Sequence, residues 1–186
     1  MLQARFEGLS DDVDAAHAHL SECIITDAAV GTFDLTGAVL TDVCITALRA
    51  TEVKARNARW RNVLVSGGRI GTLDLTGADV TGAELRGIRI DYLALGSAKV
   101  SDLLVADCTV GSLDVPLATL SRVRFQGTRV DEVDSRGVRA EHVDLRGLEA
   151  LAFTDLSSLR GVTLSARQVE LLSTSFAAAL GVDVRD

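Results

Sequence analysis

Residues 71–82 read Gly71-Thr-Leu-Asp-Leu-Thr-Gly-Ala-Asp-Val-Thr-Gly82, with Leu75 and Val80 five apart and each followed by threonine and glycine. The same phrase stands forty residues earlier as Gly31-Thr-Phe-Asp-Leu-Thr-Gly37, and forty later in altered form as Gly111-Ser-Leu-Asp-Val-Pro116. Outward from this stretch, every fifth residue from Ala15 to Ala150 is apolar except Ser135. The column two residues earlier, Val13 to Leu148, is apolar except Gly68 and Thr128. Together the two columns hold 53 apolar residues in 56 places, while the other three hold about 14 in 84. Neither a helical period of 3.6 nor a strand period of 2 sustains this. The period is five.

A five-residue unit with two inward side chains must turn a corner at each repeat and stack coil on coil. The corner columns fit that demand. Thr36, Thr41, Thr46, Thr51, Thr76 and Thr81 follow the central residue, and the next column carries glycine at Gly37, Gly77, Gly82, Gly87, Gly127, Gly137 and Gly147. Glycine takes positive φ in tight turns without steric cost. Pro116 also occupies a turn column.

A second period counts the corners. Val13, Phe33, Val53, Leu73, Leu93, Leu113 and Val133 are twenty apart and mostly large, while Ala18, Ala38, Ala58, Ala78, Ala98 and Ala118 form the neighbouring series. A bulky wall beside an alanine wall predicts a packed interior of fixed cross-section. Twenty residues per coil make four sides. Residues 13–152 therefore predict seven coils, a rod about 34 Å long at roughly 4.8 Å per coil.

Units such as Phe33-Asp-Leu-Thr-Gly37, Leu73-Asp-Leu-Thr-Gly77, Ala78-Asp-Val-Thr-Gly82 and Val143-Asp-Leu-Arg-Gly147 resemble the pentapeptide-repeat motif, loosely A(D/N)LxG. The resemblance covers about three-quarters of the chain and implies an all-β solenoid, a right-handed quadrilateral parallel β-helix. The expected organisation is an N-terminal lid over 1–12, the β-helix over 13–164 and a C-terminal cap over 165–186. Ser10–His17 also has the composition of a short capped helix.

Beyond Leu164 the period changes. Ser165-Ala-Arg-Gln168 reads as a capping box, Val169, Leu172, Phe176 and Leu180 follow at helical spacing, and Gly181 suits a helix stop. Val182-Asp-Val184 predicts a short strand after the helix. This end is similar to the C-terminal cap of the quinolone-resistance pentapeptide proteins, which implies a homodimer whose interface is Val169, Leu172, Phe176 and Leu180. The simpler reading folds the helix onto its own last coil.

The chain of 186 residues carries a net charge of -7, three cysteines and 19 basic residues, of which 17 are arginine. The charge disfavours direct nucleic-acid binding, and the arginine bias reads as a GC-rich bacterial genome. There is no apolar run of membrane-spanning length, and Met1–Glu7 lacks the pattern of a secretory signal. With few cysteines, the expectation is a cytoplasmic protein away from membranes. Cys23 and Cys108 fall in an inward column and Cys44 outward. No nucleophile elbow, phosphate loop or zinc-protease motif occurs, and His17 with His19 lacks further ligands, so no enzyme, cofactor or metal site is expected.

The outward charges are ordered. One wall reads Asp34, Lys54, Asp74, Ala94, Asp114, Asp134, and Asp34, Asp74, Asp114 and Asp134 are its candidate partner-binding residues. Another reads Arg49, Arg69, Arg89, Thr109, Arg129, Glu149. Stacked arginines repel, so either Glu52, Asp91, Asp131 and Glu132 pair with them or the stripe receives an acidic partner. The expected function is non-enzymatic protein–protein interaction with an unassigned partner. The alternative, implied by the resemblance, is a DNA mimic that modulates DNA gyrase or another type II topoisomerase and protects it from fluoroquinolones.

Overall fold

A computed structural model describes residues 4–185. Seventeen strands join into one continuous parallel arrangement, followed by a single α-helix, Ala166–Ala179. The solenoid is a right-handed quadrilateral β-helix, and its register is the twenty-residue one. Val43 pairs with Val63, Val63 with Ala83, and Leu103 with both Ala83 and Val123.

Both inward columns form the core. Phe33, Leu73 and Leu93 are at most 2% exposed, and Ala38, Ala58, Ala98 and Ala118 are wholly buried beside them. Trp60, the one tryptophan, fills the inner column that also holds Leu40 and Val80, at 1% exposure. Each polar exception to the columns has a structural cause. Thr128 donates its hydroxyl to the Val105 and Gln126 carbonyls, both at 3.0 Å, and Ser135 donates to the Asp155 carbonyl at 2.7 Å. Gly68 has φ +91°, and a Cβ there would overlap the carbonyl oxygen of Leu48 in the coil above. Only glycine fits.

One corner shows how sequence makes the turn. Ala38 N–H donates to the Leu35 carbonyl at 3.0 Å while Gly37 sits at φ +63°, which is a type II geometry. Four coils on, the same turn is Val115-Pro116-Leu117-Ala118. Pro116 supplies the fixed φ of the second position, and Leu117 takes φ +58° with its side chain 69% exposed.

The solenoid has about eight turns rather than the seven predicted. Partial coils extend both ends, each in a nineteen-residue register that the period of five could not reveal. Ala4–Glu7 pairs with Cys23–Thr26, placing Phe6 beside Ile25, and Val143–Asp144 pairs with Val162–Thr163. Thus the segment expected as a lid contains an in-line strand, while its first three residues lie outside the described ones. Ser10–His17 forms no helix: Val13–Asp14 is a strand, and the Asp12 carboxylate accepts the Thr32 N–H at 2.7 Å instead of capping a helix.

The C-terminal helix begins with the predicted capping box between Ser165 and Gln168. It ends in a Schellman turn, with Gly181 at φ +74° and Val182 N–H bonded to the Ala177 carbonyl at 2.8 Å. The strand expected at Val182–Val184 does not form. The turn directs the chain outward, where Val182 and Val184 are more than half exposed and have no strand edge beside them.

Candidate interaction surface

Four flat outer walls follow from this register. In chain order they are the arginine wall around Arg49, the acidic wall around Asp34, a wall carrying Arg59, Asp79 and Lys99, and a mixed wall carrying Cys44, Leu64, Glu84, Leu104 and Arg124. The acidic wall lies opposite the mixed one.

On the acidic wall the structure brings Asp34, Lys54, Asp74, Ala94, Asp114 and Asp134 into one column. These carboxylates also shape the corner that follows them. Asp34 Oδ1 accepts the Thr36 N–H at 2.9 Å, Asp74 Oδ1 the Thr76 N–H at 3.0 Å, and Asp134 Oδ1 the Arg136 N–H at 3.2 Å. An Asx turn of this kind explains why aspartate, rather than glutamate, fills the position.

Cations offset much of the wall's charge. Arg56 Nε donates to Asp74, and Arg136 Nε donates to both Asp134 oxygens at 2.9 and 3.1 Å. The Thr36 hydrogen bonds hold the Asp34 carboxyl below the usual carboxylate range. For Asp74, burial pushes the carboxyl up, but the Thr76 and Arg56 hydrogen bonds together outweigh it and leave it lowered. Arg136 does the same for Asp134. Asp114 instead accepts the hydroxyl of Tyr92, and that bond, with desolvation, pushes the phenol up to about 12. Arg56, Tyr92 and Arg136 were not foreseen as parts of this wall. Arg136 follows Asp134 by two residues, whereas the diagonal offsets of Arg56 and Tyr92, 18 and 22 residues from Asp74 and Asp114, become readable only once the coil length is twenty.

The arginine wall is partly neutralised. Asp91 bridges Arg69 at 2.9 Å and Arg89 at 3.3 Å, which holds the Asp91 carboxyl below its ordinary value. Arg129 pairs with Glu149 at 3.3 Å, not with Asp131 or Glu132, and Glu52 pairs with Lys54 at 3.7 Å. Among the described residues Arg49 forms no ion pair within 4.0 Å.

The four residues of the candidate dimer interface divide into two pairs. Val169 and Leu180 are 47% and 80% exposed, whereas Leu172 and Phe176 are half-buried against their own chain. Leu171, at 75% exposure, belongs to the outer apolar face and escaped the helical-spacing reading. Gln168 fixes the helix on the last coil, donating from Nε2 to the Leu145 carbonyl at 2.7 Å and the Leu148 carbonyl at 2.8 Å.

Cys23 and Cys108 are buried and Cys44 is half-buried on the mixed wall. Desolvation pushes the Cys108 thiol up. His17 stands at a corner with φ +59°, and His19 lies in a strand two residues on. The apolar interior leaves a narrow cavity of about 40 Å³ lined by residues such as Leu103, Leu113, Val123 and Phe153. A shallow groove of about 520 Å³ crosses the mixed wall between Asn62 and Asp144. Its carboxylates are engaged: Glu84 by Arg86, Asp102 by Arg122 and Asp144 by Arg146. Among the described residues no helix is long and apolar enough to cross a membrane.

No protein-family model and no curated protein sequence matches the chain. Among solved structures it is similar to full-length QnrB1, a plasmid-mediated fluoroquinolone resistance protein. The TM-score is 0.55 at 17% identity, over 92% of this chain and 98% of that one. A trypsin-treated variant of QnrB1 aligns with a TM-score of 0.50 at 18% identity, over 98% and 100% of the two chains. At these identities the likeness establishes a shared fold.

Proposed function

We propose that this chain is a non-enzymatic docking rod that acts in the bacterial cytoplasm by binding another protein along an outer wall. The observation that carries the reading is the division of labour in the coil. Inward positions fill the core, while outward ones form straight, flat ladders of ordered charge. Such ladders match a partner's surface over a distance that no single loop spans. The apolar outer face of the terminal helix supports a homodimer made through Val169 and Leu180, with Leu172 and Phe176 seating the helix from beneath.

A second reading names the partner class. QnrB1 is a fluoroquinolone resistance protein, and the fold likeness covers almost the whole of both chains. With the acidic column, this favours a DNA-mimicking modulator of gyrase or another type II topoisomerase. The Arg56 and Arg136 pairs make that column less acidic than its aspartates suggest, which favours the general docking reading over the specific one.

One experiment separates the readings: purified gyrase in a supercoiling assay, titrated with this protein with and without a fluoroquinolone, beside affinity purification of the tagged chain from its own cells. Inhibition or drug protection at micromolar protein assigns a topoisomerase. No effect on gyrase, with another protein retained in stoichiometric amount, keeps the docking reading alone. Neither effect overturns both.

A further inference from the structure

We propose that the N-terminal end of the solenoid is a homotypic docking edge, where two copies pair their Ala4–Glu7 strands antiparallel about a two-fold axis through Phe6. Among the described residues this strand pairs only with Cys23–Thr26, so its other edge presents a free row of backbone donors and acceptors. Exposed edges of this kind template pairing with another chain. At the opposite end of the rod the terminal helix is tied to the last coil, where Gln168 occupies the Leu145 and Leu148 carbonyls.

Apolar exposure points the same way. Phe6, in register with the inward Ile25, is 42% exposed, whereas Ile25 is 3% exposed. Val13, Ala15 and Leu20 are only partly buried, while their counterparts one coil later, Phe33, Leu35 and Leu40, are at most 2% exposed. The core therefore opens at this end.

The chemistry of the strand identifies the occupant. Arg5 and Glu7 both point outward, in register with Ile24 and Thr26. Antiparallel pairing centred on Phe6 sets Arg5 opposite Glu7 of the partner subunit, twice over, and brings the two Phe6 rings side by side. Opposite charges and aromatic pairs directly across such a ladder both stabilise it. The sequence Ala-Arg-Phe-Glu is thus complementary to itself under a two-fold axis and to no translation along the rod.

The test uses the full chain carrying Leu171→Asp with Leu180→Asp. Both residues are exposed on the terminal helix, so association through the cap is removed and its failure is scored separately. Sedimentation equilibrium across the micromolar range should still detect a dimer. Arg5→Glu alone or Glu7→Arg alone places like charges opposite each other at two points and should weaken association about tenfold. The double reversal, Arg5→Glu with Glu7→Arg, should restore it. Thermal melts followed by circular dichroism control for the intramolecular Arg5–Glu7 pair at 3.6 Å, which alters stability and not mass. Should the helix substitutions disturb folding, the same charge series in the otherwise unaltered chain reads as loss and recovery of the edge-linked species. A monomer at every concentration, indifference to the single reversals, or a double reversal no better than the singles would overturn the proposal.

Discussion

Gln168 donates its side-chain amide to the main-chain carbonyl of Leu145, 2.7 Å away and 23 residues earlier in the chain. The same side chain accepts the Ser165 N–H through Oε1 at 2.7 Å, so one residue closes the helix's first turn and ties it to the final coil. Gln168→Ala removes the N3 half of the capping box, takes one of two donors from the Leu145 carbonyl, which keeps the Leu148 N–H, and removes the side-chain donor to the Leu148 carbonyl. The expected loss is about 1–3 kcal/mol, read in urea unfolding. Hydrogen exchange should place it in the last coil, because a solenoid's coils interact only with their neighbours.

Gly68 and Gly87 both hold positive φ, +91° and +59°, but only Gly68 faces a backbone oxygen where its Cβ would stand. Gly87→Ala should cost about 1 kcal/mol for the left-handed conformation alone. Gly68→Ala should cost well beyond that, about 3 kcal/mol, because the Leu48 carbonyl must move. Equal losses in chemical denaturation would remove the steric account.

Acid should unwind the corners. Arg146, chiefly through its hydrogen bonds, holds the Asp144 carboxyl at about 2, below its unfolded value of 3.8. A depressed folded pKa contributes stability above the unfolded value, lost as pH falls through the folded one. The window is therefore from about pH 4 to pH 2. Asp34, Asp74, Asp91, Asp102, Asp134 and Asp155 are lowered too, so the losses add in the same direction. Melting temperature against pH should fall across that window, and Asp144→Asn should flatten part of the fall while lowering stability at neutral pH.

Tyr92 is the only tyrosine, so its ionisation is read directly from phenolate absorbance. The bond to Asp114 predicts a midpoint at about 12. Asp114→Asn removes the carboxylate acceptor and should bring the midpoint down toward 10. An unchanged midpoint would show that the two side chains do not meet on the acidic wall.

Much of this architecture was legible in the sequence because one physical demand, two inward side chains in every five, is written without a slip from Val13 to Leu148. The column of Asp34, Asp74, Asp114 and Asp134 followed from the coil length. The ends were not legible: Ala4–Glu7 and Val162–Thr163 join in a nineteen-residue register, which breaks the phase that reveals the rest. The wall's hydrogen-bond partners were hidden because Arg56 reaches Asp74, and Tyr92 reaches Asp114, along diagonals between coils. The capping box was plain in Ser165 and Gln168, yet the second task of Gln168 depends on where the last coil places Leu145. The strand expected at Val182–Val184 failed because composition supplied β-branched residues and the Schellman turn left them without a neighbour.

The central claim is that function resides on an outer wall. A photo-crosslinking residue placed singly at Asp114, Arg89, Lys99 and Leu104, one per wall, tests it most directly in cells that make the protein. The account predicts adducts with one protein partner from one wall, or from two that share a corner, and none from the wall opposite. Adducts spread evenly over all four walls, or absent from every one, would contradict it.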